Sequence, residues 1–299
     1  MGTRIDLVDS EISELVALSH HERLVWFIGC GREDDFIFVV TEFAEGGTLS
    51  DFLFGNEKKE KRRKKKKINI QTRLELLLDV HEAMCFLHHT KKMIHGNLRT
   101  SKILIMKDIK TNKLRAKLSD SGFERILRHT EKKASVCPVP SGGLELTSMS
   151  SKTPRRSHVV DERSLRFLSP ELCELYLRDK SLESKITFQS EIYAFSIVMW
   201  ETISCTRSWS KMSNFDIAAR VSQGERPLLS GIEKKYLGEE FVLYMRACWS
   251  QKSSLRPDFT KSSRRRICNS SFCVESNTNK NGGDLGRKLF EISKGVHSV

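Results

Sequence analysis

The feature that most constrains the fold is an apolar run close to residue 200. Residues 190–204 read SEIYAFSIVMWETIS, and apolar side chains fall on nearly every side when the segment is drawn as a helix. Such a pattern is typical of a helix buried in the middle of a domain. The 299 residues of the chain are enough to surround it with other elements and to bury a sizeable core. We therefore expect one large globular domain built around this helix.

Weaker patterns predict the elements around this helix. Helical spacing of apolar residues predicts helices at 9–20, 50–54, 70–89, 213–222 and 238–249. β-rich runs predict an antiparallel hairpin at 24–30 and 36–43, and two more short strands at 102–106 and 116–118. Residues 130–163 lack periodicity and predict a long loop, while the polar, basic composition from residue 261 onwards predicts a flexible tail.

The distribution of charge along the chain limits the kinds of partner that the protein can bind. Lysine and arginine number 51 against 38 acidic residues, which gives a net charge of +13. Much of this excess lies in residues 57–67, EKKEKRRKKKK, which hold nine basic and two acidic side chains. We interpret this run as a solvated insertion, and a nuclear-localisation patch or a polyanion contact stays open as the alternative. The ordinary charge of the remaining chain argues against a nucleic-acid footprint over the whole surface.

The sequence gives no sign of a membrane helix or a metal site. No run approaches the roughly 18 apolar residues that a membrane helix needs, and the start MGTRIDLVDSE lacks the apolar core of a signal peptide. The adjacent pairs His20–His21 and His88–His89 lack the spacing of metal ligands, and we interpret them as surface or helix-end residues. These features predict a cytoplasmic location, with a nuclear location as the alternative.

Six short motifs follow one another in a fixed order. They are VTEFAEGGTL at 40–49, HGNLRTSK at 95–102, SDSG at 119–122, SPE at 169–171, the apolar run at 190–204, and CWS with LRP within 248–257. Each is weak alone, but their order and spacing resemble a eukaryotic protein kinase domain of the tyrosine-kinase or tyrosine-kinase-like type. The pairing of HGN at 95–97 with DSG at 120–122 also resembles, locally, the pseudokinase domains of Janus kinases.

The resemblance implies a fold and a division of the chain. The fold is of the α+β class: a mostly helical C-lobe and an incomplete N-lobe made of one helix and two antiparallel strands. The kinase-like domain takes residues 1–260, with the partial N-lobe at 9–44, the C-lobe at 45–260, the basic insertion at 57–67, an activation-type loop at 120–171, and a flexible tail at 261–299.

The resemblance also implies roles for single residues. Thr41 would be the gatekeeper, and Glu42, Ala44 and Leu104 would complete the adenine contacts. Asp120 would hold a metal ion. Glu171 and Arg256 would form a buried ion pair that supports the C-lobe.

Departures from the family pattern fall on the catalytic residues, at the positions of His95, Asn97, Arg99 and Lys102. Asn97 stands where the family has an aspartate, and a carboxamide cannot accept a proton near neutral pH. General-base help of roughly 10²–10⁴-fold would therefore be lost. Lys102 stands where the family has the asparagine that binds Mg²⁺, and an ammonium group cannot ligate a cation. Gly96 replaces an arginine, and no catalytic set remains intact.

The phosphate-binding parts of the family are also absent from this sequence. Neither a G-x-G-x-x-G loop nor a V-A-I-K strand precedes the first predicted helix. We expect that an upstream segment is missing, as in a truncated gene model. Binding of ATP and Mg²⁺ would then be weak.

These observations predict a pseudokinase that acts as a signalling scaffold or as an allosteric regulator, with another kinase or signalling protein as its partner. One alternative is a divergent, ATP-dependent Ser/Thr or Tyr kinase whose glycine-rich loop and lysine lie upstream. A second alternative is a polyanion-binding module that uses residues 57–67.

Overall fold

The computed structural model describes residues 16, 18, 21–33, 36–55, 68–119, 165–180, 182, 185–229 and 237–268. Four predicted features fall outside this set: the basic run 57–67, the metal ligand Asp120, most of the activation-type loop and the tail beyond residue 268. Of the first predicted helix, Val16 and Leu18 are described, and both are helical.

Four short strands form two antiparallel ribbons. Strand β1 (Phe27–Glu33) pairs with β2 (Phe36–Thr41), and the register shifts between Phe27 and Gly29. Strand β3 (Ile103–Lys107) pairs with β4 (Leu114–Leu118) without a shift. Together with the helices, these ribbons confirm the predicted α+β class with a mostly helical C-lobe.

Five of the seven helices that follow lie close to where apolar spacing predicted them, and those at 170–177 and 261–268 were not predicted. The helices are α1 (Leu49–Phe54), α2 (Ile70–Cys85), α3 (Pro170–Leu177), α4 (Phe188–Ser204), α5 (Asn214–Ser222), α6 (Glu239–Cys248) and α7 (residues 261–268). Helix α2 ends earlier than predicted, because the chain widens into a π turn at Phe86–Thr90. A 3-10 turn at Thr100–Lys102 leads from the HGNLRTSK segment into β3.

Side chains at the helix starts explain why the helices begin there. Thr48 accepts the backbone N–H of Asp51, and Asn69 accepts that of Thr72. Thr187 and Ser190 form a reciprocal capping box at the start of α4. Each cap satisfies a backbone donor that the helix itself cannot pair, which is typically worth about 1 kcal/mol.

Helix α4 occupies the centre of the core, as its composition predicted. Every residue from Ser190 to Ile203 is buried. Helices α2 and α6 pack against it, and the core continues from α4 into the β3–β4 ribbon. Full burial of one large apolar side chain contributes about 1.5–3 kcal/mol, so this helix organises most of the stability of the domain.

The predicted boundary at residue 260 is wrong. Helix α7 continues the packed structure, since Ser263 and Ile267 are buried and the Ser263 hydroxyl lies 2.8 Å from Nε2 of His81 in α2. The basic residues of this segment occupy the outward face, which is why its composition resembled that of a flexible tail. No helix among the described residues is long and apolar enough to cross a membrane.

The segment before β1 attaches the β1–β2 hairpin to the rest of the domain. Val25 donates its N–H to the Leu118 carbonyl at 3.0 Å, and Leu118 donates to the Arg23 carbonyl at 2.9 Å. The Arg23 side chain reaches Asp79 of α2 at 3.1 Å. Asp79 also accepts from Arg115 at 2.8 Å, so a buried carboxylate holds both the segment and β4.

Candidate active-site cleft

The HGNLRTSK segment is held at its start by a buried carboxylate from the central helix. Glu191 of α4 accepts the backbone N–H of His95 at 3.1 Å and that of Gly96 at 2.6 Å. His88 adds a contact to the same carboxylate, with its Nε2 at 2.8 Å. Gly96 has a φ of +87°, a left-handed conformation that glycine adopts without strain. The glycine that replaces the family arginine therefore suits the backbone at this point.

His95 joins this segment to the end of β4. Its Nδ1 accepts the backbone N–H of Asn97 at 3.1 Å. The other ring nitrogen, Nε2, must then carry the proton, and it donates to the Ser119 carbonyl at 2.7 Å. Because Ser119 directly precedes Asp120, the fold brings the two predicted catalytic motifs together, although Asp120 itself lies outside the described residues.

A second carboxylate of α4 holds the far end of the segment. Glu201 accepts the Thr100 hydroxyl at 2.8 Å, and it also accepts the N–H and hydroxyl of Ser208 at 2.9 and 2.8 Å. Burial raises the pKa of Glu201, and the hydrogen bonds from Ser208 and Thr100 oppose that rise. The Lys102 carbonyl then accepts both the N–H and the hydroxyl of Ser119.

Sequence reasoning missed three of these supports. Glu191, Glu201 and His88 had no assigned role, and His88 was interpreted as a surface or helix-end residue. It is buried instead, with its ring centroid 4.7 Å from that of Phe188 and 5.0 Å from that of Phe259. A signal was available, because two carboxylates inside a helix that is apolar all round must find buried hydrogen-bond donors.

The segment after β2, the predicted hinge, is fixed at its first residue. Glu42 donates its N–H to the Trp26 carbonyl at 3.0 Å, and its carboxylate accepts the N–H of Trp26 at 2.7 Å. Lys117 of β4 places its Nζ 2.6 Å from the same carboxylate and 4.5 Å from the centre of the Trp26 ring. These three residues form the junction cluster, which ties the β1–β2 hairpin to β4.

Two glycines fix the other end of the hinge against β3. Gly46 donates to the Ile105 carbonyl at 3.0 Å, and the N–H of Ile105 donates to the Gly47 carbonyl at 2.9 Å. A Cβ atom on Gly46 would lie 2.6 Å from the Ile105 oxygen, so only glycine fits. Leu104 alternates with the buried Ile103 and Ile105 and is itself half-buried.

Glu171 and Arg256 form a bidentate ion pair in the C-lobe. Both guanidinium Nη atoms lie 2.7 Å from a Glu171 oxygen, and Arg256 also donates to the carbonyls of Gln189 and Ser250. Burial alone would raise the pKa of Glu171, but the hydrogen bonds and charge of Arg256 outweigh it and lower that pKa. The pair connects α3 to the segment that follows α6.

Comparison with known proteins identifies the family. The chain matches the family described as protein tyrosine and serine/threonine kinase over residues 3–265. It belongs to the protein kinase family. The motif order, the anchored HGNLRTSK segment and the Glu171–Arg256 pair therefore belong to a kinase domain.

Individual relatives share about a quarter of its residues over the matched regions. The domain is 24% identical over 247 residues to RGS domain-containing serine/threonine-protein kinase A of Dictyostelium discoideum, covering 83% of this chain and 17% of that protein. It is 26% identical over 265 residues to human atrial natriuretic peptide receptor 2, and the match covers 86% of this chain and 21% of that protein. It is 25% identical over 261 residues to serine/threonine/tyrosine-protein kinase HT1 of Arabidopsis thaliana, and the match covers 86% of this chain and 54% of that protein. The chain thus spans only part of the length of these relatives.

Among the described residues, the hinge suits the adenine of ATP, whereas one of the metal-binding positions of the family does not suit a metal ion. Within the described chain, the carbonyl of Glu42 and the N–H of Ala44 make no backbone hydrogen bond, so the hinge offers an acceptor and a donor that suit adenine. Thr41 ends β2 next to them. The position of the metal-binding asparagine does not fit a cation, because Lys102 stands there.

Proposed function

We propose that this kinase domain regulates or scaffolds another signalling protein and transfers phosphate very poorly or not at all. One observation carries the proposal: Asn97 occupies the position of the catalytic base in a segment that is otherwise fully anchored. Glu191 holds the residues before it and Glu201 holds those after it. The defect therefore lies in the chemistry of the side chain and not in the placement of the backbone.

The size of this chemical defect follows from the amide group. A carboxamide cannot take the proton of an attacking hydroxyl, and losing that help lowers the rate by roughly 10²–10⁴-fold. Lys102 adds a second defect, since its ammonium group repels a metal ion instead of binding it. The anchored backbone supports a domain that keeps the shape of a kinase, which is what a scaffold or allosteric partner requires.

The decisive experiment is a radiometric phosphotransfer assay on the whole chain with Mg²⁺ and ATP. We expect the natural chain to stay at background and Asn97→Asp, alone or with Lys102→Asn, to rise above it. Asn112→Asp, at an exposed turn between β3 and β4, makes the same chemical change away from the cleft and should have no effect. Robust transfer by the natural chain that Asp120→Ala abolishes would overturn the proposal.

The second candidate is an active, divergent kinase. The carbonyl of Glu42 and the N–H of Ala44 favour it, since neither makes a backbone hydrogen bond within the described chain. Nucleotide affinity separates the candidates before any transfer assay. We propose that ATP binds with a Kd weaker than about 100 µM, or roughly −5.5 kcal/mol. A thermal shift of several degrees at low micromolar Mg²⁺-ATP would favour the active kinase.

The remaining parts of the proposal concern location and partners. We propose a cytoplasmic site of action and a partner that is itself a kinase or another signalling protein. The shared family with receptor and serine/threonine kinases supports a signalling context. Residues 57–67 would supply a secondary contact with polyanions, and their removal should reduce the fall of log K with log[salt] for polyanion binding.

A further inference from the structure

A basic face lies on helix α7, at the end of the described part of the C-lobe. Helix α7 turns Ser263 and Ile267 into the core. Its exposed residues include Lys261, Arg264, Arg265 and Arg266. Because the two buried residues fix the rotation of the helix, Lys261, Arg264 and Arg265 face solvent. Arg266 is also exposed, and its guanidinium lies 6.0 Å from the centre of the Tyr244 ring.

A neighbouring turn extends the same face. The Ser263 hydroxyl contacts His81 at 2.8 Å, and the rings of His88 and Phe259 lie 5.0 Å apart. Residues 89–92 follow His88 directly, and His88 contacts Phe259, which lies two residues before α7. Their exposed side chains include His89, Lys91 and Lys92.

Acidic residues are scarce within the two segments themselves. Residues 86–92 contain none, and residues 258–268 contain only Asp258. Burial lowers the pKa of His81, and the positive charges of Arg264 and His89 lower it further, so one charged residue of each segment acts on the same ring. A face of this kind has a clear preference for an anionic partner.

We propose that the basic face, formed by α7 and residues 89–92, binds the anionic surface of a phospholipid membrane. Successive residues of a helix are rotated by about 100°, so the four cations of α7 spread over a wide arc instead of converging on one phosphate. Lys261 and Arg265 lie farthest from the buried side. Such an arrangement suits a flat, extended field of negative headgroups.

Other partners fit the face less well. The aromatic residues of the two segments, Phe86 and Phe259, are half-buried and buried, so no ring is placed for stacking on nucleic-acid bases. Ile267 faces the core, so no apolar side chain of α7 is free to insert into lipid. The contact is thus peripheral and electrostatic, and it should weaken as salt is added.

The test is cosedimentation of the full chain with vesicles of phosphatidylcholine alone or mixed with phosphatidylserine. We expect binding only to the mixed vesicles at low ionic strength, and a loss of at least roughly 25-fold in partitioning for Lys261→Glu with Arg265→Glu. The matched control is Lys110→Glu with Lys113→Glu, which makes the same charge change at the exposed β3–β4 turn. It should retain most of the binding.

Two further measurements separate the basic face from the basic run and from a loss of folding. Neutralising residues 57–67 should leave the difference in vesicle binding between the α7 variant and its control intact. Unchanged thermal unfolding of both variants shows that the fold survives the substitutions. Equal losses in the two variants would overturn the proposal in favour of net charge alone. Absence of binding to mixed vesicles, or tighter binding to duplex DNA or to an acidic peptide at the same salt, would overturn it as well.

Discussion

The β1–β2 hairpin and helix α4 are stabilised in opposite ways. Along α4, every residue from Ser190 to Ile203 is buried. On the hairpin, the side chains of Ile28 and Val40 are 66% and 46% exposed. A two-stranded ribbon has little independent stability in water. The comparison teaches that the helical lobe holds the domain together, and that the hairpin depends on its attachment through the junction cluster.

At neutral pH, the largest effect should come from breaking the support of the helical lobe. Glu171→Ala leaves the guanidinium of Arg256 buried without its carboxylate. We expect a loss of about 3 kcal/mol in the free energy of unfolding, at the low end for buried pairs, because the Glu171 side chain itself keeps 37% of its exposure. Urea denaturation measures it. The matched control is Glu225→Ala, which breaks an exposed pair with Arg220 and should cost less than about 1 kcal/mol.

Hydrogen exchange compares the two regions directly. Backbone amides of β2 should exchange at least about 100-fold faster than those of the middle of α4, a difference of roughly 2.7 kcal/mol in local opening. The measurement is amide exchange by mass spectrometry on a monomeric sample. Equal protection in both regions would show that the hairpin is as stable as the core, and would break the comparison.

Acid should destabilise the helical lobe through His81. Burial, with the charges of Arg264 and His89, lowers the pKa of His81 to about 3. The unfolded chain binds this proton below its ordinary pKa of about 6.5, while the folded chain does not. Stability is therefore complete above that pH and falls by up to about 1.4 kcal/mol per pH unit as pH drops towards 3.

The variant that checks this effect is His81→Gln, followed by urea denaturation at several pH values. The natural chain should lose stability with acid more steeply than the variant. Asp79 acts in the opposite sense, since burial raises its pKa to about 6, but it is present in both proteins and its effect cancels in the difference. Parallel pH dependences would contradict the assignment to His81.

The smallest effect should be confined to the hairpin. Lys117→Met removes the cation that lies between Glu42 and Trp26. We expect a local loss of about 1 kcal/mol, seen as severalfold faster amide exchange in β2, with little change in global unfolding. Lys113→Met, at an exposed position just before β4, serves as the control. A global loss of stability from Lys117→Met would show that the hairpin and the helical lobe unfold as one unit.

Local patterns in the sequence were sufficient for the elements and for the order of the motifs. The apolar run predicted α4 because a helix that is buried on all sides carries apolar residues on all sides. The partners of Glu191 and Glu201 were not predictable in the same way, since Glu191 meets residues almost a hundred positions earlier in the chain. Such contacts depend on how helices pack, and periodicity within one segment carries no information about them.

Two errors have a common physical origin. Helix α7 was assigned to a flexible tail, because four basic residues outweigh the two buried positions, Ser263 and Ile267. The end of α2 was placed too late, because the apolar pattern continues through the π turn at Phe86–Thr90. In both cases the composition correctly indicated which side chains are polar or apolar. The helix boundaries were set instead by packing against the rest of the C-lobe, which composition does not show.

The anchoring of the hinge determines how the two parts of the domain can move. Glu42 is pinned to Trp26 at one end, and Gly46 and Gly47 are pinned to Ile105 at the other. Only residues 43–45 lie between these anchors. Rotation within the hinge is therefore confined to the torsion angles of Phe43, Ala44 and Glu45. Because Val25 bonds to Leu118 and Glu42 to Lys117, any larger opening must also break these contacts with β4.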